Sequence, residues 1–145
     1  MDEVVLREPG PRRLWGAWGL LGVVGPSMAP TLAHGDLLLV RTGGRVRPGA
    51  VIVFRHPLRQ DLAVVKRVVE RRPGGWWVLG DNPFNESGDS LDYGPVAEEL
   101  VLGVARVRLR DPGAQASLRA RLRGLASAVR VLGADPAASA RLRAR

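Results

Sequence analysis

Leu62-Ala63-Val64-Val65-Lys66-Arg67-Val68-Val69 is a run of eight residues in which two adjacent cations sit among four valines. Branched side chains favour the pleated conformation over the helix, so the segment reads as a strand. Alternation then sends Val64, Lys66 and Val68 to one face and Val65, Arg67 and Val69 to the other, and a cation must share a face with valines. Two outcomes are open for Lys66. Its head can snorkel from a strand edge into water. Alternatively it is buried, and its pKa falls from ~10.4 toward neutrality, about three units or ~4 kcal/mol of desolvation.

Outward from this run, the chain keeps the period of strands from Leu20 to Leu109. Leu37–Arg41, Ala50–Arg55, Gly75–Leu79 and Leu100–Leu109 are short segments rich in Val, Leu and Trp. Thr42–Gly44, Arg47–Gly49 and Arg72–Gly75 punctuate them as turns. With no helical period between, this pattern predicts a mainly β fold, a compact barrel or coiled sheet spanning residues 1–112. Leu14 to Pro26, after Arg12 and Arg13, has the charged flank and short apolar core of a secretion signal. Cleavage near Ala29 would remove the most distinctive segment of the chain, so the stretch is read as an entry segment and buried first strand. It is also too short for a membrane span, which needs ~18 or more apolar residues.

After Asp111-Pro112-Gly113 apolar residues recur at Leu118, Leu122, Leu125, Val129 and Leu132, the spacing of an amphipathic helix that Gly133 and Pro136 would end. Residues 113–145 are therefore expected to form a basic helical tail. Arg119, Arg123 and Arg130 flank the apolar stripe. The leucines are expected to dock on the barrel or a second copy, with peripheral contact to an anionic membrane as the alternative.

Composition narrows the chemistry. The 145 residues, 46% of them hydrophobic, suit one domain with one core. The absence of cysteine excludes disulfides, thiolate metal sites and cysteine nucleophiles, and His34 and His56 are too few for a three-histidine centre. No cofactor or metal is expected. A net charge of +8 is weak evidence for nucleic-acid binding, because the arginine, alanine and glycine bias is that of a GC-rich genome. Lys66 is the only lysine, and lysine is the cationic side chain that can readily lose its proton.

Two further segments could carry chemistry. Gly25-Pro26-Ser27-Met28-Ala29-Pro30-Thr31-Leu32 holds a serine on a Gly/Pro-stiffened turn, which restricts the direction of its hydroxyl; taken alone it also reads as a surface turn. Leu79-Gly80-Asp81-Asn82 through Ser87-Gly88-Asp89-Ser90 is dense in turn formers and lacks the alternating spacing of a calcium loop.

Together the segments resemble the signal peptidase I family of Ser/Lys proteases. Ser27-Met28-Ala29-Pro30-Thr31-Leu32 is similar to its nucleophile box, Gly35-Asp36 to the continuation, Lys66-Arg67-Val68 to its base box, and Gly80-Asp81-Asn82…Ser87-Gly88-Asp89-Ser90…Gly94-Pro95-Val96 to the last box. The resemblance implies a coiled β catalytic domain with Ser27 as nucleophile and Lys66 as general base. It further implies the Ser27 backbone N–H in the oxyanion hole and Ser87 orienting the lysine. Gly25, Met28, Pro30, Asp36, Gly80, Asp81, Asn82, Asp89 and Ser90 take structural roles. Gly25 stands where many members carry a second oxyanion donor, the Asn82-to-Ser87 stretch is one residue longer than usual, and Leu91 replaces an arginine that pairs with the acidic residue, so Asp89 must find another arginine or lack one.

Within the family, His56-Pro57-Leu58-Arg59-Gln60-Asp61-Leu62 and Gly75-Trp76-Trp77-Val78-Leu79 most resemble the branch that matures nickel-type superoxide dismutase. That resemblance implies a cytoplasmic protease that removes an N-terminal leader from the dismutase precursor, with no nucleic-acid partner and at most peripheral membrane contact. The alternatives are a general leader peptidase, an autoprocessing repressor-type Ser/Lys protease, and a non-catalytic basic barrel holding nucleic acid or an acidic partner. Fewer than thirty residues precede Ser27, too few for the helix-turn-helix of the repressor type.

Overall fold

The computed structural model describes residues 12–15, 17–84, 88–110, 119 and 129–145. Eight strands form one antiparallel sheet: β1 (Arg12–Trp15), β2 (Trp18–Gly22), β3 (Leu37–Arg41), β4 (Val51–His56), β5 (Arg59–Arg72), β6 (Gly75–Leu79), β7 (Val101–Leu109) and β8 (Val129–Val131). The order is β1-β2-β3-β7-β4-β5-β6, with β8 added on β7. Among the described residues two short helices accompany it, α1 (Ser90–Tyr93) and α2 (Pro136–Arg143), with a 3-10 turn at Glu98–Leu100. A mainly β fold is thus what the periodicity predicted, and β3 and β6 have the predicted limits; a helix does stand near the C-terminus, but not where the spacing placed one.

Strand β7 organises the sheet. Its first half pairs with β4, Val53 opposite Gly103, and its second half pairs with β3, Leu38 opposite Arg108. Both faces of the central β4–β5 pair are covered, so alternation divides the core instead of separating core from solvent. Val51, Val53 and Val65 join Leu38, Met28 and Leu32 in one apolar cluster. Ile52, Phe54, Val64 and Val68 join Val78 and Val96 in another. Trp76 lies in the second cluster and Trp77 packs against a third made of Val69, Leu79 and Leu142, so adjacent tryptophans serve different cores.

The tail departs from its periodicity. Val129–Val131 is a strand, not the last turn of a helix, and it pairs with Val107–Leu109. The edge of β7 beyond the end of β4 offers unpaired backbone groups there, and ladder hydrogen bonds with a Val-Arg-Val triplet outcompete the helical spacing. Leu132 is buried in the first core, as docking on the barrel requires, whereas Val129 is 44% exposed and belongs to no buried stripe. The rest of the expected helix lies outside the described residues, apart from Arg119, which is helical.

Pro136 opens a helix where the pattern had it ending one. Asp135 caps α2 by accepting the backbone N–H groups of Ala137 (3.0 Å) and Ala138 (3.1 Å), and proline suits the first helical turn because its missing N–H would be unpaired there. The tail is seated on β5 and the loop before β4. Ser139 donates to the Val69 carbonyl (2.5 Å), and the Asp135 N–H donates to the Gly49 carbonyl (3.0 Å). Gly49, at φ +88°, must be glycine, since a Cβ would lie 2.3 Å from the Asp135 carbonyl oxygen.

Candidate active site

The turn after β2 is pulled inward by its apolar residues. Met28 and Leu32 are buried in the first core, and the Leu32 N–H returns to the Met28 carbonyl (2.9 Å). Between them Pro30 stays exposed. The turn closes on Asp36, whose buried carboxylate accepts the Ala33 N–H (2.9 Å), while Gly25, at φ +86°, donates its N–H to His34 Nδ1 (3.3 Å). Ser27 is consequently no surface turn residue: it is 1% exposed, and among the described residues its Oγ has no hydrogen-bond partner. A buried polar atom left so needs a reason, because an unmade hydrogen bond costs about 1–3 kcal/mol.

Lys66 is also 1% exposed, which rules out snorkelling. It stands opposite Ile52 on β4, on the face that carries Val64 and Val68 into the second core. Its neighbour Arg67, 5% exposed, is turned to the other side. There Arg67 donates to both oxygens of Asp81 (2.8 and 2.7 Å) and to the Gly49 carbonyl (2.7 Å).

Asp81 links the strand to the serine turn, for it also accepts the Thr31 hydroxyl (2.5 Å). Asn82 supplies the second link: its N–H donates to the Ser27 carbonyl (3.1 Å), its Nδ2 donates to the Pro26 carbonyl (2.9 Å), and its Oδ1 accepts the Phe84 N–H (3.0 Å). Two segments far apart in sequence are thereby held in one register. Gly80 is where they meet, since a Cβ there would lie 2.6 Å from the Ser27 carbonyl oxygen and 3.6 Å from Lys66 Nζ. Only a residue without a side chain lets the serine turn and the lysine head approach so closely.

Asp89 completes the surroundings of Lys66. It caps α1 by accepting the Leu91 N–H (3.0 Å), and it also accepts the Gly80 N–H. Burial raises its carboxyl above the usual 3.8, against those backbone donors and the attraction of the Lys66 charge. The cation that acts on Asp89 is thus Lys66, while the buried arginine of the site serves Asp81. Ser90, 1% exposed, accepts the Val78 N–H (2.9 Å) and ties α1 to β6. Ser87 lies outside the described residues.

Of the residues singled out in the sequence, Ser27, Lys66, Gly80 and Asp89 are brought together, and Asp81, Asn82, Asp36 and Ser90 brace them. The sequence reading missed Arg67 and Thr31 as partners of Asp81. The signal was present in Arg67, a second cation in a strand that could not leave it dry without a carboxylate. Among the described residues no three His, Asp or Glu side chains converge as a metal site would require. Chemically, the arrangement offers a hydroxyl, an amine or ammonium and a carboxylate held out of water around one glycine.

Comparison with known proteins finds protease-named relatives. The chain is 31% identical to the mitochondrial inner membrane protease subunit 1 of Xenopus tropicalis over 59% of its own length and 64% of that protein's. It is likewise 31% identical to the mitochondrial ATP-independent inner membrane protease subunit 1a of Arabidopsis thaliana, over 67% of its own length and 73% of that protein's. Among the described residues no helix is long and apolar enough to cross a membrane. A family model described as Peptidase S24-like matches residues 16–92, the segment that carries the serine turn, the lysine strand and the glycine between them, and the chain belongs to that peptidase family.

Proposed function

We propose that the protein is a serine endopeptidase in which Ser27 is the nucleophile and Lys66 the general base, and that it removes an N-terminal leader from a precursor protein. The observation that carries this reading is the Ser27 hydroxyl, buried without a hydrogen-bond partner among the described residues, on a residue whose backbone carbonyl, like Lys66 Nζ, lies close to where a side chain on Gly80 would stand. In this mechanism neutral Lys66 takes the hydroxyl proton as Oγ attacks the scissile carbonyl. The same proton passes to the departing amine, and water drawn through the same base releases the acyl group from Ser27. The Ser27 backbone N–H is the proposed oxyanion donor. Gly25 brings no side-chain donor, and its own N–H is engaged by His34.

The leader-removing role rests on the resemblance of the boxes to signal peptidase I and on the protease-named relatives. The more specific substrate, a nickel-type superoxide dismutase precursor, rests on the sequence resemblance around His56–Leu62 and Gly75–Leu79 alone. Incubating the protein with that precursor, and reading the new N-terminus by mass spectrometry, tests both levels. Cleavage at one site by the wild type and none by Ser27→Ala is the expected result. Equal processing of unrelated leader-bearing precursors would leave a general leader peptidase, and cleavage that survives Ser27→Ala would overturn the assignment.

A further inference from the structure

Beside the serine turn lies a cavity of about 550 Å³ whose far wall is the C-terminal tail. Pro30, Thr31, Asp81 and Pro83 form one side, and β8 and α2 the other. Four arginines line it, Arg67, Arg130, Arg141 and Arg145, against two carboxylates, Asp81 and Asp135. Both carboxylates are already engaged. Asp81 is taken by Arg67 and Thr31, while Asp135 caps α2 and has Arg141 at 4.0 Å. The cavity therefore carries a positive surplus that its own acids do not neutralise.

Its position relates that charge to the reaction site. Arg145 donates to the Gly80 carbonyl (3.4 Å), and Gly80 is the residue around which Ser27 and Lys66 meet. Pro30 and Thr31 belong to the same turn as Ser27, and Asp81 and Pro83 flank the asparagine that holds the Ser27 carbonyl. The cavity thus adjoins the turn that carries Ser27. Guanidinium groups bind carboxylates through paired, charge-assisted hydrogen bonds.

We infer that this cavity is a specificity subsite, in which Arg130 and Arg141 receive an acidic side chain of the peptide substrate to one side of the bond that is cut. The inference rests on the peptidase reading above, and binding separates the two. The probes are a fluorescein-labelled Asp-Glu-Asp-Glu-Asp-Glu peptide with blocked ends and its Asn-Gln counterpart, titrated by anisotropy at low salt against full-length Ser27→Ala protein. The acidic peptide should bind and the amide peptide should not. Arg130→Gln combined with Arg141→Gln should weaken binding about tenfold or more. These side chains are exposed, and an unchanged thermal melt will show that the fold persists.

Arg45→Gln with Arg47→Gln, which alters a neighbouring cavity of about 430 Å³ that shares Leu132 and Gly133 with the first but none of its arginines, should leave binding as it was. Equal loss in that control, equal binding of both peptides, or displacement of the acidic peptide by a short oligonucleotide at lower concentration would overturn the subsite. Selective acidic binding by a protein that cleaves no peptide would uphold the cavity and sink the peptidase reading. Cleavage by the wild type without any gain from an acidic residue at any substrate position would do the reverse.

Discussion

Lys66 is almost wholly buried, so its protonation depends on its surroundings, among them Ile52 across the strand pair, valines on its own face, Gly80 near its head and Asp89 beyond. Arginine in its place would keep its proton at any working pH and would not fit beside the Ser27 turn. Lys66→Arg, Lys66→Ala and Ser27→Ala should each abolish peptide cleavage, and the Ser27→Ala/Lys66→Ala protein should be hardly worse than either alone. Appreciable turnover by purified Lys66→Arg protein would remove lysine from the mechanism. Gly80→Ala should lower kcat/KM on the order of 100-fold, since its methyl group displaces the serine turn and misplacement by about 1 Å suffices for that loss. Asp89→Asn keeps an oxygen for the Leu91 N–H but removes the charge that favours the ammonium form of Lys66. The acid limb of the rate–pH profile should then move to lower pH, and an unmoved profile would show that the two groups act independently. Burial holds the Asp89 carboxyl above 3.8, so the folded state keeps that proton longer than the unfolded chain. Its effect on stability is most favourable below 3.8 and is lost as pH rises through the raised value, a slope that Asp89→Asn should lack in thermal melts across that window.

At the scale of the element, strand β5 carries the site because it is buried on both faces. One face delivers Lys66 to Gly80, and the other delivers Arg67 to Asp81. Removing a single member of that buried ion pair leaves an uncompensated charge, so Asp81→Ala or Arg67→Met should cost roughly 3–5 kcal/mol in denaturant unfolding. Combining the two should cost less than the sum. Helix α2 depends instead on its cap: Asp135→Ala should cost about 1 kcal/mol at neutral pH. The Ala138 and Ala137 N–H groups, with Arg67 and Arg141 nearby, hold the Asp135 carboxyl below 3.8. This stabilisation is complete above 3.8 and disappears as pH falls through the lowered value, so wild type and Asp135→Ala should converge in acid. A difference that persisted at low pH would assign the effect to packing. The limits of β3 and β6 were legible because apolar runs ended at Gly and Pro turns, whereas α2 was not, since its signal was a cap followed by proline and not a period.

Across the whole molecule, the tail is part of the fold it was expected only to adjoin. Leu132 fills the first core, and Leu142 closes the cluster of Val69 and Leu79, directly beside the lysine strand. Burial of each such leucine is worth roughly 1.5–3 kcal/mol. Removing residues 113–145 should therefore lower the unfolding midpoint markedly and expose apolar surface to a hydrophobic dye. If cleavage survives in the truncated protein, the tail stabilises the site without building it; if a folded truncated protein is inactive, the Arg145–Gly80 contact and its neighbours position the serine turn. Either result is read from activity together with a melt.

Residue types and spacing were enough for most of the strands along the chain and for setting Lys66 among valines, because strand period and turn chemistry are local properties; Ser27 was singled out by the resemblance of its box. Burial of Lys66 on one face and of Arg67 on the other was decided only by tertiary structure, since it depends on which layers cover β5. The same holds for Val129–Val131, whose helical spacing yielded to a free edge on β7, and for the arginine-lined cavity, whose walls come from the serine turn, the segment around Asp81 and the distant tail and meet only when the tail docks. Local patterns record what a segment prefers; a free strand edge and a shared cavity exist only after other segments have folded against it.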